Sequence, residues 1–121
     1  MDTILIRGLR IFAYHGVNPE EKRDGQTFVL DLDLTLDLRL PCQSDRVEDT
    51  VSYAQVRKTV ERVMTAEKYD LIERAAQVVA DAVLQEYPAV QCVKVTLCKP
   101  EAPMKADFDT VGVCIQRGRE S

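Results

Sequence analysis

Between Phe28 and Leu38 every second residue is apolar. Phe28, Leu30, Leu32, Leu34, Leu36 and Leu38 alternate with Val29, Asp31, Asp33, Thr35 and Asp37. A period of two predicts a strand over 26–38 with one greasy face and one acidic face that must stay wet. It is long for a strand, since about five or six residues is usual. An earlier strand is predicted over 2–14, running Thr3-Ile4-Leu5-Ile6 and then Leu9-Arg10-Ile11-Phe12-Ala13-Tyr14. Gly8 between the two runs marks a bulge or bend. His15-Gly16-Val17-Asn18-Pro19 breaks this strand.

The spacing then changes. Val56, Val60, Val63 and Met64 predict an amphipathic helix over 53–66. Leu71, Ala75, Val79 and Val83, flanked by Ile72, Ala76, Ala80 and Leu84, predict a second helix over 71–86 with a broad apolar face. Asp70 is the expected N-cap, with Glu73 at the third helical position completing a capping box. Tyr87-Pro88 ends the helix, and Pro41 to Asp49 reads as polar loop. Alternation returns at 90–98, and Val111, Val113 and Ile115 form a last strand ending near Arg117-Gly118.

The order is ββααββ, an α+β subunit with a four-stranded antiparallel sheet and two helices on one face. The edges of such a sheet are a liability unless paired. Joining several sheets edge to edge into a ring-shaped barrel removes them, which predicts a homo-oligomer with a wet, acidic lumen.

At 121 residues the chain reads as one domain, 1–121. A net charge of -4 argues against nucleic acid, which needs a basic face. No apolar run approaches the ~20 residues that span a bilayer. The N-terminal Met1-Asp2-Thr3-Ile4-Leu5-Ile6-Arg7 lacks the basic region of a secretory signal, so a cytoplasmic protein is expected. Cys42, Cys92, Cys98 and Cys114 have no C-x-x-C spacing and read as reduced thiols packed as small hydrophobes. With His15 the single histidine, a catalytic metal set is not expected.

Three chemistry-bearing residues fall at element ends, where a rigid scaffold holds reacting groups. Glu73 lies in the first turn of a helix, Lys99 at a strand end, and Tyr53 where a loop becomes a helix. An acid, an amine and a phenol suggest proton-transfer chemistry. Each also has an ordinary reading: a cap for Glu73, a solvated strand end for Lys99, a half-buried staple for Tyr53. His15 reads as a hydrogen-bonded turn residue, and Glu20-Glu21-Lys22-Arg23-Asp24 as a solvated charged loop.

Jointly the motifs are specific. His15-Gly16-Val17, Gly25-Gln26-Thr27-Phe28, Asp31-Leu32, Asp45, Asp49-Thr50-Val51-Ser52-Tyr53, Leu71-Ile72-Glu73-Arg74, Lys99-Pro100-x-Ala102-Pro103 and Val113-x-Ile115-x-Arg117 stand in order over nearly the whole chain. They resemble the dihydroneopterin aldolases of folate biosynthesis. The resemblance implies the tunnelling fold, with tetrameric rings that pair into octamers and active sites at subunit interfaces. It implies a small pterin substrate, 7,8-dihydroneopterin, with no cofactor, metal, nucleic acid or membrane partner.

By the same resemblance, Glu73 anchors the pterin ring through two parallel hydrogen bonds. The backbone of Ile72, Thr50 and Val51 completes the ring contacts. Lys99 is the catalytic lysine, and Tyr53 the catalytic tyrosine, reaching in from an adjacent subunit. Glu21, rather than its neighbour Glu20, is the loop glutamate that orients the substrate's tail. The implied enzyme is a metal-independent aldehyde-lyase without a Schiff base, releasing glycolaldehyde and 6-hydroxymethyl-7,8-dihydropterin, with a C2′-epimerase side activity. The alternatives are dihydroneopterin triphosphate 2′-epimerase and a non-catalytic pterin-binding ring protein. The segment Met104-Lys105-Ala106-Asp107-Phe108-Asp109 matches none of the motifs.

Overall fold

A computed structural model describes residues 1–119. Four strands form one antiparallel sheet in the order β1 (Asp2–Ala13), β2 (Gln26–Leu36), β3 (Cys92–Lys99), β4 (Val111–Gly118). Sequential strands pair throughout, so the first and last strands are the two edges. The long helices α3 (Tyr53–Ala66) and α4 (Ile72–Glu86) lie between β2 and β3 in sequence. The predicted ββααββ order therefore holds.

The alternation read along 26–38 is the core. Phe28, Leu30, Leu32, Leu34 and Leu36 are all buried, and the residues between them are partly exposed. Their greasy row meets Val93, Val95 and Leu97 of β3, together with Val56, Val60 and Met64 of α3 and Ala75, Ala76, Val79, Ala80 and Val83 of α4. Alanine dominates the buried stripe of α4; short side chains let a helix axis approach the pleated surface closely.

The acidic side chains of β2 are held on the open face. Asp31 Oδ1 accepts from the Gly8 amide at 2.7 Å, and Asp33 pairs with Arg7. Pairing shifts register between Ile6 and Leu9, and Gly8 takes φ +66°. The expected bulge is present, and its amide is capped by Asp31.

Several boundaries and one motif differ from expectation. β2 stops at Leu36, because the chain turns at Leu38 into a short helix α2 (Arg39–Ser44), followed by a 3₁₀ turn at Val47–Asp49. The stretch read as polar loop is thus largely helical. The charged segment expected to be solvated loop is helix α1 (Pro19–Asp24), with Glu21 buried. The capping box at Asp70 does not form. The N-cap is Leu71, without a side-chain cap, and Glu73 is the second helical residue. Asp70 instead pairs with Lys22 at 2.5 Å. Among the described residues, no helix is long and apolar enough to cross a membrane.

Candidate active site

Lys99 is the last residue of β3, and its ammonium lies 2.6 Å from Glu21 Oε2. Both side chains are largely out of solvent, 15% and 7% exposed, so this ion pair is far less screened than a surface pair. α1 delivers the carboxylate. Asn18 donates its amide to Glu21 Oε1 at 3.3 Å, and Gln26 Nε2 donates to Glu21 Oε2 at 3.0 Å. Gly16 leaves the room: a Cβ there would stand 2.3 Å from Glu21 Cδ. Burial opposes the charge on Glu21. The bonds from Lys99, Asn18 and Gln26 outweigh it and hold the carboxyl below its ordinary range.

Glu73 shares a cleft of about 260 Å³ with this pair; Ile72, Pro103 and Val111 form other parts of its wall. The Glu73 carboxylate is exposed and makes no hydrogen bond or ion pair among the described residues. Without a side-chain cap at Leu71, the Ile72 and Glu73 amides in the first turn have no intrahelical acceptor. The cleft thus offers a free carboxylate beside free N–H donors, with a cation paired to a second carboxylate deeper in. Among its lining residues Glu21, Asp70 and Glu73 face the single cation Lys99.

Thr50, Val51 and Tyr53 are elsewhere. They line a separate cleft of about 400 Å³ with Ile4, Leu5 and Leu38. Ser52 caps α3, its hydroxyl accepting the Gln55 amide at 3.4 Å, and this leaves Tyr53 projecting from the first turn, 68% exposed. The strand register fixes the separation. Ile4 pairs with Leu34, which pairs with Val93, whereas Lys99 is the far end of β3. At about 3.4 Å per residue, Val93 and Lys99 stand roughly 20 Å apart along the strand. Within one chain Glu21, Ile72, Glu73 and Lys99 come together, and Thr50, Val51 and Tyr53 do not join them. The first cleft adjoins edge strand β4 through Val111, and the second adjoins edge strand β1 through Ile4 and Leu5.

Two further residues belong to the assembly around the cleft. Gln26, which stands in the Gly25-Gln26 motif, orients Glu21. His15 is fully buried behind Gly16. Its Nδ1 accepts the Tyr69 amide at 3.0 Å, and its Nε2 lies 2.9 Å from the Met64 carbonyl. The motifs contained both residues but carried no sign of these partners; those of His15 lie far away in sequence. Among the described residues no group of three or more His, Cys, Asp or Glu is arranged to hold a metal ion.

Comparison with known proteins agrees with the geometry. The family model described as dihydroneopterin aldolase matches residues 4–116. A dihydroneopterin aldolase from Streptococcus pyogenes serotype M1 is 36% identical over 119 residues, covering 98% of this chain and 100% of the relative. One from Methylorubrum extorquens is 40% identical over 118 residues, covering 98% and 91%. The crystal structure of the E. coli dihydroneopterin aldolase in complex with neopterin superposes with a TM-score of 0.90 at 34% identity, covering 98% of this chain and all of that one.

Proposed function

The chain belongs to the dihydroneopterin aldolase family, lyases of folate biosynthesis, and we propose that its two clefts, brought together from adjacent copies, form one site for retro-aldol cleavage of 7,8-dihydroneopterin. The observation that carries this reading is the pairing of a buried Lys99–Glu21 contact with a free Glu73 carboxylate in one cleft, while Tyr53 stands in another at the opposite end of the sheet.

Neighbouring strands all run antiparallel, so β4 of one copy beside β1 of the next continues the same alternation. A ring built this way, with the stagger that closure requires, sets the Tyr53 cleft of one copy against the Glu73 cleft of its neighbour. Four copies complete such a barrel, and two rings stack into an octamer. Exposed Leu5 and Phe12 on one edge and Val111 on the other fit that burial.

In this site Glu73 accepts two parallel hydrogen bonds from the pterin amino group and adjacent ring N–H, the geometry of charge-assisted recognition. The uncapped Ile72 amide, with the backbone of Thr50 and Val51 from the neighbour, completes the grip. Glu21 orients the hydroxyls of the tail. The substrate carries its own electron sink, the N5–C6 imine. As the C2′ hydroxyl passes its proton to water, the C1′–C2′ bond breaks, its electron pair forms the C1′=C6 bond, and the C6=N5 π pair moves onto N5. The Lys99 ammonium stabilises that charge electrostatically and delivers a proton, directly or through water. Glycolaldehyde leaves. Tyr53, through a water, then protonates C1′ as N5 gives up its proton, forming 6-hydroxymethyl-7,8-dihydropterin. Re-addition to the opposite face of glycolaldehyde inverts C2′, which accounts for an epimerase side activity.

No step requires a metal or a covalent adduct on Lys99. The surplus of carboxylates lining the cleft disfavours a triphosphate tail. The enzyme acts in the cytoplasm. Incubation with 7,8-dihydroneopterin, with and without a chelator, tests this reading: equal release of glycolaldehyde and hydroxymethyl-dihydropterin is expected in both. Pterin binding without release would leave only a binding module. Borohydride should trap no adduct; a trapped adduct would mean Schiff-base chemistry.

A further inference from the structure

We propose that His15 is a positioning residue, setting the distance between the Glu73 carboxylate and the Glu21–Lys99 pair by holding the Tyr69 amide; this rests on the aldolase reading above. His15 is joined to both halves of the cleft. On one side Gly16 packs against the Glu21 carboxylate, where a Cβ would clash at 2.3 Å. On the other, His15 Nδ1 takes the Tyr69 N–H at 3.0 Å, and the Gly16 N–H donates to the Tyr69 carbonyl at 2.9 Å. Tyr69 begins the short arm Asp70-Leu71 that leads into Ile72 and Glu73. Lys22 closes the arm from outside, donating to both the Gly16 carbonyl and Asp70.

The imidazole is fixed in plane and in tautomer. It stacks on the Tyr69 ring, with centroids 5.3 Å apart and planes 24° apart, and leans on Phe28. Because Nδ1 accepts an N–H, the ring proton sits on Nε2 and is donated to the Met64 carbonyl at 2.9 Å. An imidazolium has no lone pair for the Tyr69 amide, so the grip exists only in the neutral ring. The charged and titratable groups facing the ring are Lys22 from α1, Lys99 from β3 and the Tyr69 phenol. α3 presents the Met64 carbonyl, and β2 presents Phe28. Burial holds the imidazole below its ordinary value, opposed by the Met64 carbonyl and reinforced by the charges of Lys99 and Lys22.

His15→Asn and His15→Gln separate the two bonds. An Asn amide overlays Nδ1 and keeps an acceptor for Tyr69; a Gln amide overlays Nε2 and keeps only the donor to Met64. Each variant loses one buried hydrogen bond, so both should melt earlier by similar amounts. The product 6-hydroxymethyl-7,8-dihydropterin should bind His15→Asn within about threefold of the unaltered protein, and His15→Gln at least about tenfold more weakly. Equal affinity in both variants would reduce His15 to core packing and overturn the proposal. Should either variant fail to fold, the unaltered protein decides. Its single imidazole is one assignable NMR signal, and by reciprocity of coupled equilibria product binding must favour the neutral ring and shift that titration to lower pH. Product binding with an unmoved titration would overturn this inference alone. Failure of the unaltered protein to bind product would overturn the aldolase reading as well.

Discussion

The Lys99 ammonium and the Glu21 carboxylate, from opposite ends of the sequence, meet at 2.6 Å in a largely buried ion pair at the mouth of β3. Lys99 is charge-balanced by a neighbour that two other groups, the Asn18 amide and Gln26, hold in place, so its ammonium is oriented in advance. Preorganised charge of this kind does not reorganise as the reaction charge develops. Lys99→Ala should slow release of glycolaldehyde by about 10²–10³-fold or more in single-turnover measurement. Tyr53→Phe should still release glycolaldehyde while hydroxymethyl-dihydropterin forms slowly or another pterin appears. Proportional loss of both products in the two variants would show that the residues do not divide the reaction.

If Glu73 grips the pterin ring as proposed, Glu73→Ala removes one partner of a charged bidentate pair, a truncation worth about 2–5 kcal/mol. Substrate and product should both bind far more weakly in titration calorimetry. Unchanged product affinity would mean that Glu73 serves only the helix dipole.

Gly16→Ala puts a methyl group onto the Glu21 carboxylate. Overpacking of this kind costs about 1–3 kcal/mol, and the carboxylate must leave Lys99. Denaturant unfolding and turnover should both fall. A fully active variant of unchanged stability would place Glu21 elsewhere in solution.

Two buried groups, His15 and Glu21, contribute to the dependence of stability on acid. The folded protein holds neutral His15 below its ordinary value near 6.5, so the unfolded chain binds that proton first and stability declines as pH falls below about 6.5. Glu21 is held below its ordinary value near 4.5, so its contribution is complete above that pH and is lost as pH falls through the lower folded value. Melting curves of His15→Asn should flatten on the upper slope; those of Glu21→Gln should flatten on the lower one, where Asp37 and Glu86 still contribute. Parallel pH profiles for all three proteins would contradict both assignments.

The core was legible because period-two alternation names its own buried face: Phe28 through Leu36 point inward as the pattern requires. The same pattern overran at Leu38, where apolar parity continues but the backbone turns into α2. Asp70 and Glu73 have the spacing of a capping box, and local chemistry alone favours it. The tertiary partner Lys22 draws Asp70 away and leaves the helix start uncapped. Glu21 sat in a charge run that ordinarily faces water, and Lys99, Asn18, Gln26 and Gly16, all outside the helix, offset the cost of its burial. The separation of Tyr53 from Lys99 depends on strand register, which no single motif contains.

The central claim, that one site is built from two copies, is tested most directly by subunit complementation. Tyr53→Phe and Lys99→Ala chains, each nearly unable to form hydroxymethyl-dihydropterin alone, are unfolded together in equal amounts and reassembled. If the clefts join across copies, about one quarter of the interfaces pair an intact Lys99 with an intact Tyr53, and product formation should return to roughly that share of the unaltered rate. A mixture no more active than the two variants assembled separately would place the whole site within one chain and contradict the account.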